Sequence, residues 1–379
     1  MIEYKLSELF ELQMGKTPSR NNPAYWDSRD NAWISISDLS NAGKYIFNTK
    51  EALSDLAIDE SGIKEIPPNT VIMSFKLSIG KVAITPVKMY SNEAIIAFID
   101  KGVVELIPDY IYYLLLYKNW DVGTNKAVMG KTLNKATLSE ITVCIHDIDV
   151  QNKIVFVLDK VKEIMSMRQK QLQDLDTLIK ARFVEMFGDP ETNSRGWNEC
   201  KLLEKLNVLG GYAFKSDMFD EEEGIPVLRI GNINAGYFKP VNMVFWKRDS
   251  SLKRYAIYPG DLVMSLTGTV GKDDYGNICI IGNDYDMYYL NQRNAKMEIK
   301  EGIDKYYLFQ LLKFEQIKKK LTGISRGVRQ ANISNRDILN LVVPIPPIEL
   351  QNQFAAFVHQ VDKLKVTIMN IKNIHTKRI

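Results

Sequence analysis

The chain has 379 residues, 45% of them apolar and 25% charged, and a net charge of +3 at pH 7. That is the composition of a soluble globular protein too long for one ordinary core, so about two domains are expected. No stretch approaches the roughly 18 apolar residues of a membrane span, and the opening MIEYKLSELF lacks the basic and apolar regions of a signal peptide. With so small a net charge, an anionic partner must be met by local basic patches. The cysteines, Cys144, Cys200 and Cys279, are odd in number and far apart. They fit free thiols in a reducing cytoplasm, not a disulfide framework or a zinc site.

In chain order, short β-branched or aromatic runs bounded by Gly, Pro, Asn or Asp predict strands at KYIF (44–47), TVIMSF (70–75) and KVAIT (81–85). PDYIYYLLLY (108–117) has helical spacing. Strands are expected again at PVLRI (226–230), DLVMSL (261–266) and NICII (277–281), and one helix over KYYLFQLLKFEQIKKKL (305–321). Pro67-Pro68, Gly210-Gly211 and Pro259-Gly260 punctuate the joints.

The second set repeats the first. IPPNTVIMSFKLSIGKVAI (66–84) matches IYPGDLVMSLTGTVGKDDY (257–275) at an offset of 191 residues, and YSNEAI (90–95) matches YLNQRN (289–294) at 199. PDYIYYLLLYKNW (108–120) has a counterpart in DKYYLFQLLKFEQI (304–317). LSEITVCIHDIDVQNKI (138–154) and ILNLVVPIPPIELQNQF (338–354) make the same strand-to-helix transition 200 apart. The slowly drifting offset is what loop insertions produce in a duplication, here of an α+β domain of roughly 150 residues with a helix after it. The division is 1–149 for the first domain, 150–187 for a central helix, 188–349 for the second domain and 350–379 for a C-terminal helix. The proline knot of the second joint is missing from the first, which leaves the two joints free to differ in geometry.

Both helices carry a coiled-coil seam of alternating four- and three-residue steps. The first runs Leu158, Val161, Met165, then Leu172, Leu175 and Ile179; the second runs Leu350, Phe354, Phe357, Val361, Leu364, Ile368 and Ile371. Two such helices in one chain most economically pack on each other, antiparallel. Arg168 and Arg182 interrupt the first seam. Snorkelling to water is the favoured reading, and fixing register or meeting a partner the alternative. From Gln151 to Met186 the helix would extend about 54 Å, comparable with about one and a half turns of B-DNA. The second helix is shorter, so part of the first is left either to another protein or to a tail beyond this sequence.

Catalytic motifs are scarce. Asn22-Pro23-Ala24-Tyr25 approaches the Asn-Pro-Pro-Tyr of adenine methyltransferases, but too little chain precedes it for a strand and glycine-rich turn to hold S-adenosylmethionine, so a turn is expected. LNVLGGYAF is not a dinucleotide fingerprint, and no phosphate-binding loop is present. His146, His359 and His375 have no Cys or carboxylate at ligand spacing.

Basic loops remain. Lys313 to Asp337 holds seven Lys or Arg, and its glycine-punctuated loop bears Arg326, Arg329, Gln330, Asn332 and Arg336. Arg pairs with guanine edges, Gln and Asn with adenine, and Lys with phosphates. The first half has a milder equivalent in Lys118, Lys126, Lys131 and Lys135. A second candidate loop bears Lys76 and Lys81 in one half and Thr267, Thr269 and Lys272 in the other. A solvated basic surface explains any single lysine; the corresponding loops together favour DNA. The acidic run Ser216 to Gly224 should face away from DNA or toward a protein.

GKTPSRNNPAYWDSRDNAWISISDL (15–39), GGYAFKSDMFDEEEGIPVLRIGNINAGYF (210–238), YPGDLVMSLTGTVGK, YYLNQRNAKM and RGVRQANISNRDILNLVVPIPPIELQNQF resemble the specificity subunits of type I restriction-modification systems over nearly the whole chain. The resemblance implies that each domain reads one half of a split, asymmetric site in double-stranded DNA. The paired helices would set the gap and dock two methyltransferase subunits. Those partners bind S-adenosylmethionine and methylate adenine N6. Restriction subunits, where a system has them, add chemistry driven by ATP with Mg. The chain itself would be non-catalytic, cytoplasmic and free of cofactors. A stand-alone bipartite DNA-binding protein is the alternative.

Overall fold

The computed structural model describes residues 1–76, 78–120, 133–323 and 330–376, without the side chains of Gln330 and of 370–376. The chain forms two compact units, Met1–Met165 and Ser166–Ile379.

In the first unit, Phe10–Met14, Ile95–Asp100, Thr70–Ser74 and Val82–Thr85 form an antiparallel sheet in that spatial order. Glu51–Leu53, Asn31–Ile34 and Tyr90–Ser91 form a second sheet, its last pair parallel. The second unit repeats both. Leu206–Gly210, Asn294–Ile299, Leu262–Ser265 and Ile278–Ile280 make the antiparallel sheet. Val244–Trp246, Ile225–Leu228, Tyr288–Leu290 and Ala256–Ile257 make the other, with the same parallel pair between its second and third strands.

TVIMS and LVMS read as unbroken apolar runs because both faces of these central strands are covered. Successive side chains point to opposite faces. Val71 and Met73 enter one core with Phe10, Phe98 and Tyr113, while Ile72 enters another with Ile34, Ile46 and Met89. Leu262 and Met264 likewise separate from Val263.

Two elements differ from the sequence expectation. KYIF makes only a single bridge, Tyr45 to Ile84, because side chains hold it elsewhere: Lys44 pairs with Asp109 and, at 2.8 Å, with Asp159, and the Tyr45 hydroxyl donates to Asp109 at 2.9 Å. The helix expected over 305–321 is two, Lys305–Leu312 and Glu315–Thr322. Phe314 between them is extended, and its ring sits 5.1 Å from that of Phe183 in the core.

The long helices are Ile148–Phe187, of 40 residues, and Ile348–Thr376, of 29. Within the second unit they pack antiparallel. Arg168 Nη1 donates to the carbonyl of Ile368 at 3.5 Å, Lys365 pairs with Asp176 at 2.7 Å, and Phe183 and Phe187 lie 5.4 and 5.5 Å from Phe354. As one number rises the other falls.

The seam itself departs from an even 4-3 alternation. Toward the second core it steps by four, through half-buried Leu175 to buried Ile179, Phe183 and Phe187. Phe183 therefore takes the inward position next to Arg182, which pairs with Glu185 at 2.8 Å and lies 5.9 Å from the Phe357 ring. On the second helix Phe354, Val358 and Val361 are buried, Phe357 and Ile368 half-buried, and Leu364 is 57% exposed. Lys365, beside Leu364, turns to Asp176 instead. On the first helix, Leu158 packs on the core of its own unit, Val161 and Leu172 are half-buried, and Met165 is 46% exposed. The side chain of Ile371 lies outside the described residues.

Each long helix starts from the same buried latch. Gln151 and Gln351 are both fully buried. Gln151 Oε1 accepts from the amide of Ile107 at 3.0 Å, and its Nε2 donates to the carbonyls of Glu105 and His146 at 2.9 Å each. Gln351 Oε1 accepts from the amide of Asp304 at 2.8 Å, and its Nε2 donates to the carbonyl of Pro346 at 2.7 Å. His146 and Pro346 are equivalent positions, so the first joint keeps this geometry without the prolines. The strands before the helices are anchored alike: Ile2–Lys5 pairs with Thr142–Ile145, and Glu199–Lys201 with Val342–Pro344.

Among the described residues no helix is long and apolar enough to cross a membrane. The cysteines are free: Cys144 exposed, Cys200 half-buried and Cys279 buried. Burial pushes the Cys279 thiol up to about 12.

Three outcomes are expected. Gln351→Ala strands buried backbone groups and should cost about 2–4 kcal/mol, since each orphaned group costs about 1–3; a loss under ~0.5 kcal/mol in urea unfolding would contradict the latch. At pH 8 iodoacetamide should alkylate Cys144 and spare Cys279, read by peptide mass. Because the folded Cys279 pKa lies above its unfolded value, native stability should fall as pH rises above about 9. In Cys279→Ser that part of the fall should vanish.

Candidate nucleic-acid interface

At one end of each central strand three segments converge. In the first unit the Phe75 amide donates to the Ala94 carbonyl at 3.0 Å, and the Leu133 amide donates to the Phe75 carbonyl at 3.2 Å. In the second unit Leu266 takes the place of Phe75: its amide donates to the carbonyl of Arg293, and its carbonyl accepts from Ile333, both at 2.8 Å. The strand end is thereby stitched on both sides.

In the second unit this stitching continues as a two-stranded ribbon. Thr267–Thr269 pairs antiparallel with Gln330–Asn332, setting Thr267 opposite Asn332 and Thr269 opposite Gln330. Two loops that are some sixty residues apart in sequence thus form one surface. The Asp274 carboxylate accepts from the Thr269 amide at 2.8 Å and from its hydroxyl at 3.1 Å, closing the turn that carries Lys272. A Cβ on Gly268 would lie 2.2 Å from Asp274 Oδ1 and 2.8 Å from Tyr275 Cβ, so this turn needs glycine there.

Thr269, Lys272, Asn332 and Arg336 are exposed and Thr267 half-buried. In the first unit Lys81 and Lys135 are exposed, while Lys76 is half-buried with its ammonium 5.3 Å from the Phe75 ring. Lys118 donates to the carbonyl of Thr142 at 3.0 Å, a structural contact. Lys126, Lys131, Arg326 and Arg329 lie outside the described residues, as does the Gln330 side chain.

The three successive lysines of the basic helix are not equivalent. Lys318 is buried and pairs with Asp273; Lys319 pairs with Glu315 at 2.5 Å; Lys320 is exposed. The acidic run is held at the other sheet. Asp220 and Phe245 form a backbone bridge, and the Asp220 carboxylate, accepting from the amides of Glu222 and Glu223 at 2.8 Å, is held below the usual carboxylate range.

Gln292 and Arg293, both exposed, flank the ribbon through the Leu266 bond. They were not singled out from the sequence. The signal was there: the repeat register sets Glu93 against Gln292 and Ala94 against Arg293, so an anion is lost and a cation gained inside a matching stretch. Glu93 accepts a hydrogen bond from the Thr17 hydroxyl, which holds its carboxyl below the usual range. One convergence therefore carries a fixed anion where the other has the neutral Gln292, and a methyl group, that of Ala94, where the other has the guanidinium of Arg293.

Asn22-Pro23-Ala24-Tyr25 is a capped turn. Asn22 Oδ1 accepts from the Ala24 amide at 3.2 Å and the Tyr25 hydroxyl donates to Glu60 at 2.5 Å. His146 Nδ1 lies 2.9 Å from the Tyr110 hydroxyl, and the His359 ring packs 4.4 Å from that of Tyr306. Among the described residues no group of His, Cys, Asp and Glu could hold a metal ion.

Comparison with known proteins agrees with this duplicated layout. A specificity subunit of the type I restriction enzyme MjaIX from Methanocaldococcus jannaschii is 23% identical, the match covering 93% of this chain and 85% of that protein. The EcoBI specificity subunit of Escherichia coli is 27% identical over 47% of this chain and 36% of its own length. Among solved structures, the type I restriction-modification S subunit from M. genitalium shares the fold with a TM-score of 0.51 at 14% identity, covering 99% of this chain and 92% of that one. A chain from a type I R-M system, from work on its complex assembly and conformational transition, gives 0.56 at 15% identity, covering 100% and 93%. The type I restriction modification DNA specificity domain matches twice, over residues 1–176 and 194–376, and the chain belongs to that family.

Proposed function

We propose that this chain is the DNA-specificity subunit of a type I restriction-modification complex, and that each unit reads one half of a bipartite asymmetric site in double-stranded DNA. The observation that carries this reading is the duplicated convergence of loops at the end of a two-faced strand. Exposed side chains there have the chemistry of groove readout. In this reading Thr269, Asn332 and Arg293 meet base edges, and Lys272, Lys81 and Lys135 meet phosphates. Lys76, Thr267 and Arg336 complete the described part, and Gln330, Lys126, Lys131, Arg326 and Arg329 are the remaining candidates of the same sequence stretches.

The recognition domains are residues 1–149 and 188–349; 150–187 and 350–379 are spacer helices. The helix pair sets the distance between half-sites and docks two methyltransferase subunits. Those subunits bind S-adenosylmethionine, and restriction subunits, where present, use ATP with Mg. This chain does no chemistry itself and works in the cytoplasm beside chromosomal DNA.

Selection of a randomised duplex pool on the full chain should enrich two short half-sites separated by a fixed gap; enrichment of one contiguous site, or of none, would contradict the proposal. A seven-residue insertion after Gln171, which keeps seam phase, should widen that gap by about 10 Å, or roughly 3 base pairs. An unchanged gap would remove the helices as the ruler. Arg293→Ala should weaken binding by about 1–3 kcal/mol and relax discrimination in one half-site only, as measured by titration of single-base variants of the selected duplex.

A further inference from the structure

Lys318 lies in a run of basic residues, yet its surroundings are not those of a phosphate contact. Its side chain is only 10% exposed, while that of its partner Asp273 is 89% exposed. The ammonium also donates to Asn277 Oδ1 at 2.6 Å, and Asn277 Nδ2 donates in turn to the carbonyls of Asn234 at 2.6 Å and Asp273 at 3.2 Å. The two ends of the 267–277 turn are thus tied by different groups: Asp274 to Thr269 at the ribbon, and Lys318 to Asp273 and Asn277 at the return. The Tyr275 hydroxyl donates to the carbonyl of Thr322, one turn beyond Lys318 on the same helix, at 2.9 Å. A buried ammonium needs such hydrogen-bond partners in place of water. Its donors point into the turn.

Resting on the DNA-reading proposal, we infer that Lys318 is a positioning residue that clamps the 267–277 turn in its base-reading shape and makes no DNA contact. A preformed turn loses less freedom on binding. Asp273 is the exposed half of the clamp, and its charge makes the inference testable by sign. An uninvolved aspartate beside DNA repels phosphates, so removing it would tighten binding. As half of a clamp, its removal loosens the turn and weakens binding to the preferred site.

The test compares full-length Lys318→Met, Asp273→Asn and the double variant. Hydrogen exchange on the free protein should show the Thr269, Lys272 and Gly276 amides exchanging roughly tenfold faster in each variant, with the core strands unchanged. On the duplex selected by the wild-type chain, both single variants should lose affinity and discrimination at one half-site. The double variant should lose no more than either single one, and the salt slope should stay at its wild-type value. A tighter Asp273→Asn, a slope reduced by about one in Lys318→Met, or unchanged exchange would overturn the clamp. A wild-type chain that selects no duplex would sink the DNA-reading proposal, and with it the base-reading role, while the exchange data would still decide whether the turn is clamped.

Discussion

A buried glutamine at the start of each long helix fixes the most in this structure. An amide side chain removed from water must satisfy both its oxygen and its nitrogen, and Gln151 and Gln351 do so with backbone groups of the segments before the short helices and of the strand-to-helix joints. That couples helix, joint and domain core in one hydrogen-bonded unit. It also explains how the first joint dispenses with the prolines of the second. Proline stiffens a joint, but the bond to the carbonyl at 146 or 346 needs only a main-chain acceptor at that place.

The second constraint is the central strand covered on both faces. Because alternate side chains serve two cores, the strand cannot slip by one residue without exchanging them. Its end is therefore a fixed point, and the loops stitched to it inherit that rigidity. Identity is then free to vary on the stitched surface: Ala94 on one unit and Arg293 on the other occupy matching places, as do Glu93 and Gln292. A scaffold held constant under variable surface groups is what reading two different half-sites requires.

Much of this was legible in the sequence. Duplication, the strands within TVIMSF and DLVMSL, the long helices and the antiparallel pairing follow from repeat register and periodicity. What was not legible depends on packing. The break at Phe314 arises because one aromatic ring is better placed in the core than on a helix, which propensity does not encode. The shift of the seam to Phe183, beside Arg182, reflects the second core drawing the helix out of heptad phase. The candidate loops could be named, but not their junction, since the pairing of Thr267–Thr269 with Gln330–Asn332 is a long-range contact. Lys318 was indistinguishable from its neighbours until its carboxylate partner was seen across the turn.

The central claim is that this chain directs where a partner subunit modifies DNA. Single-molecule sequencing of N6-methyladenine across the native genome, with this gene present and deleted, tests it most directly. The account predicts that deletion abolishes methylation at one bipartite motif with a fixed gap and leaves other motifs untouched. Persistence of every methylated motif in the deletion strain would contradict it.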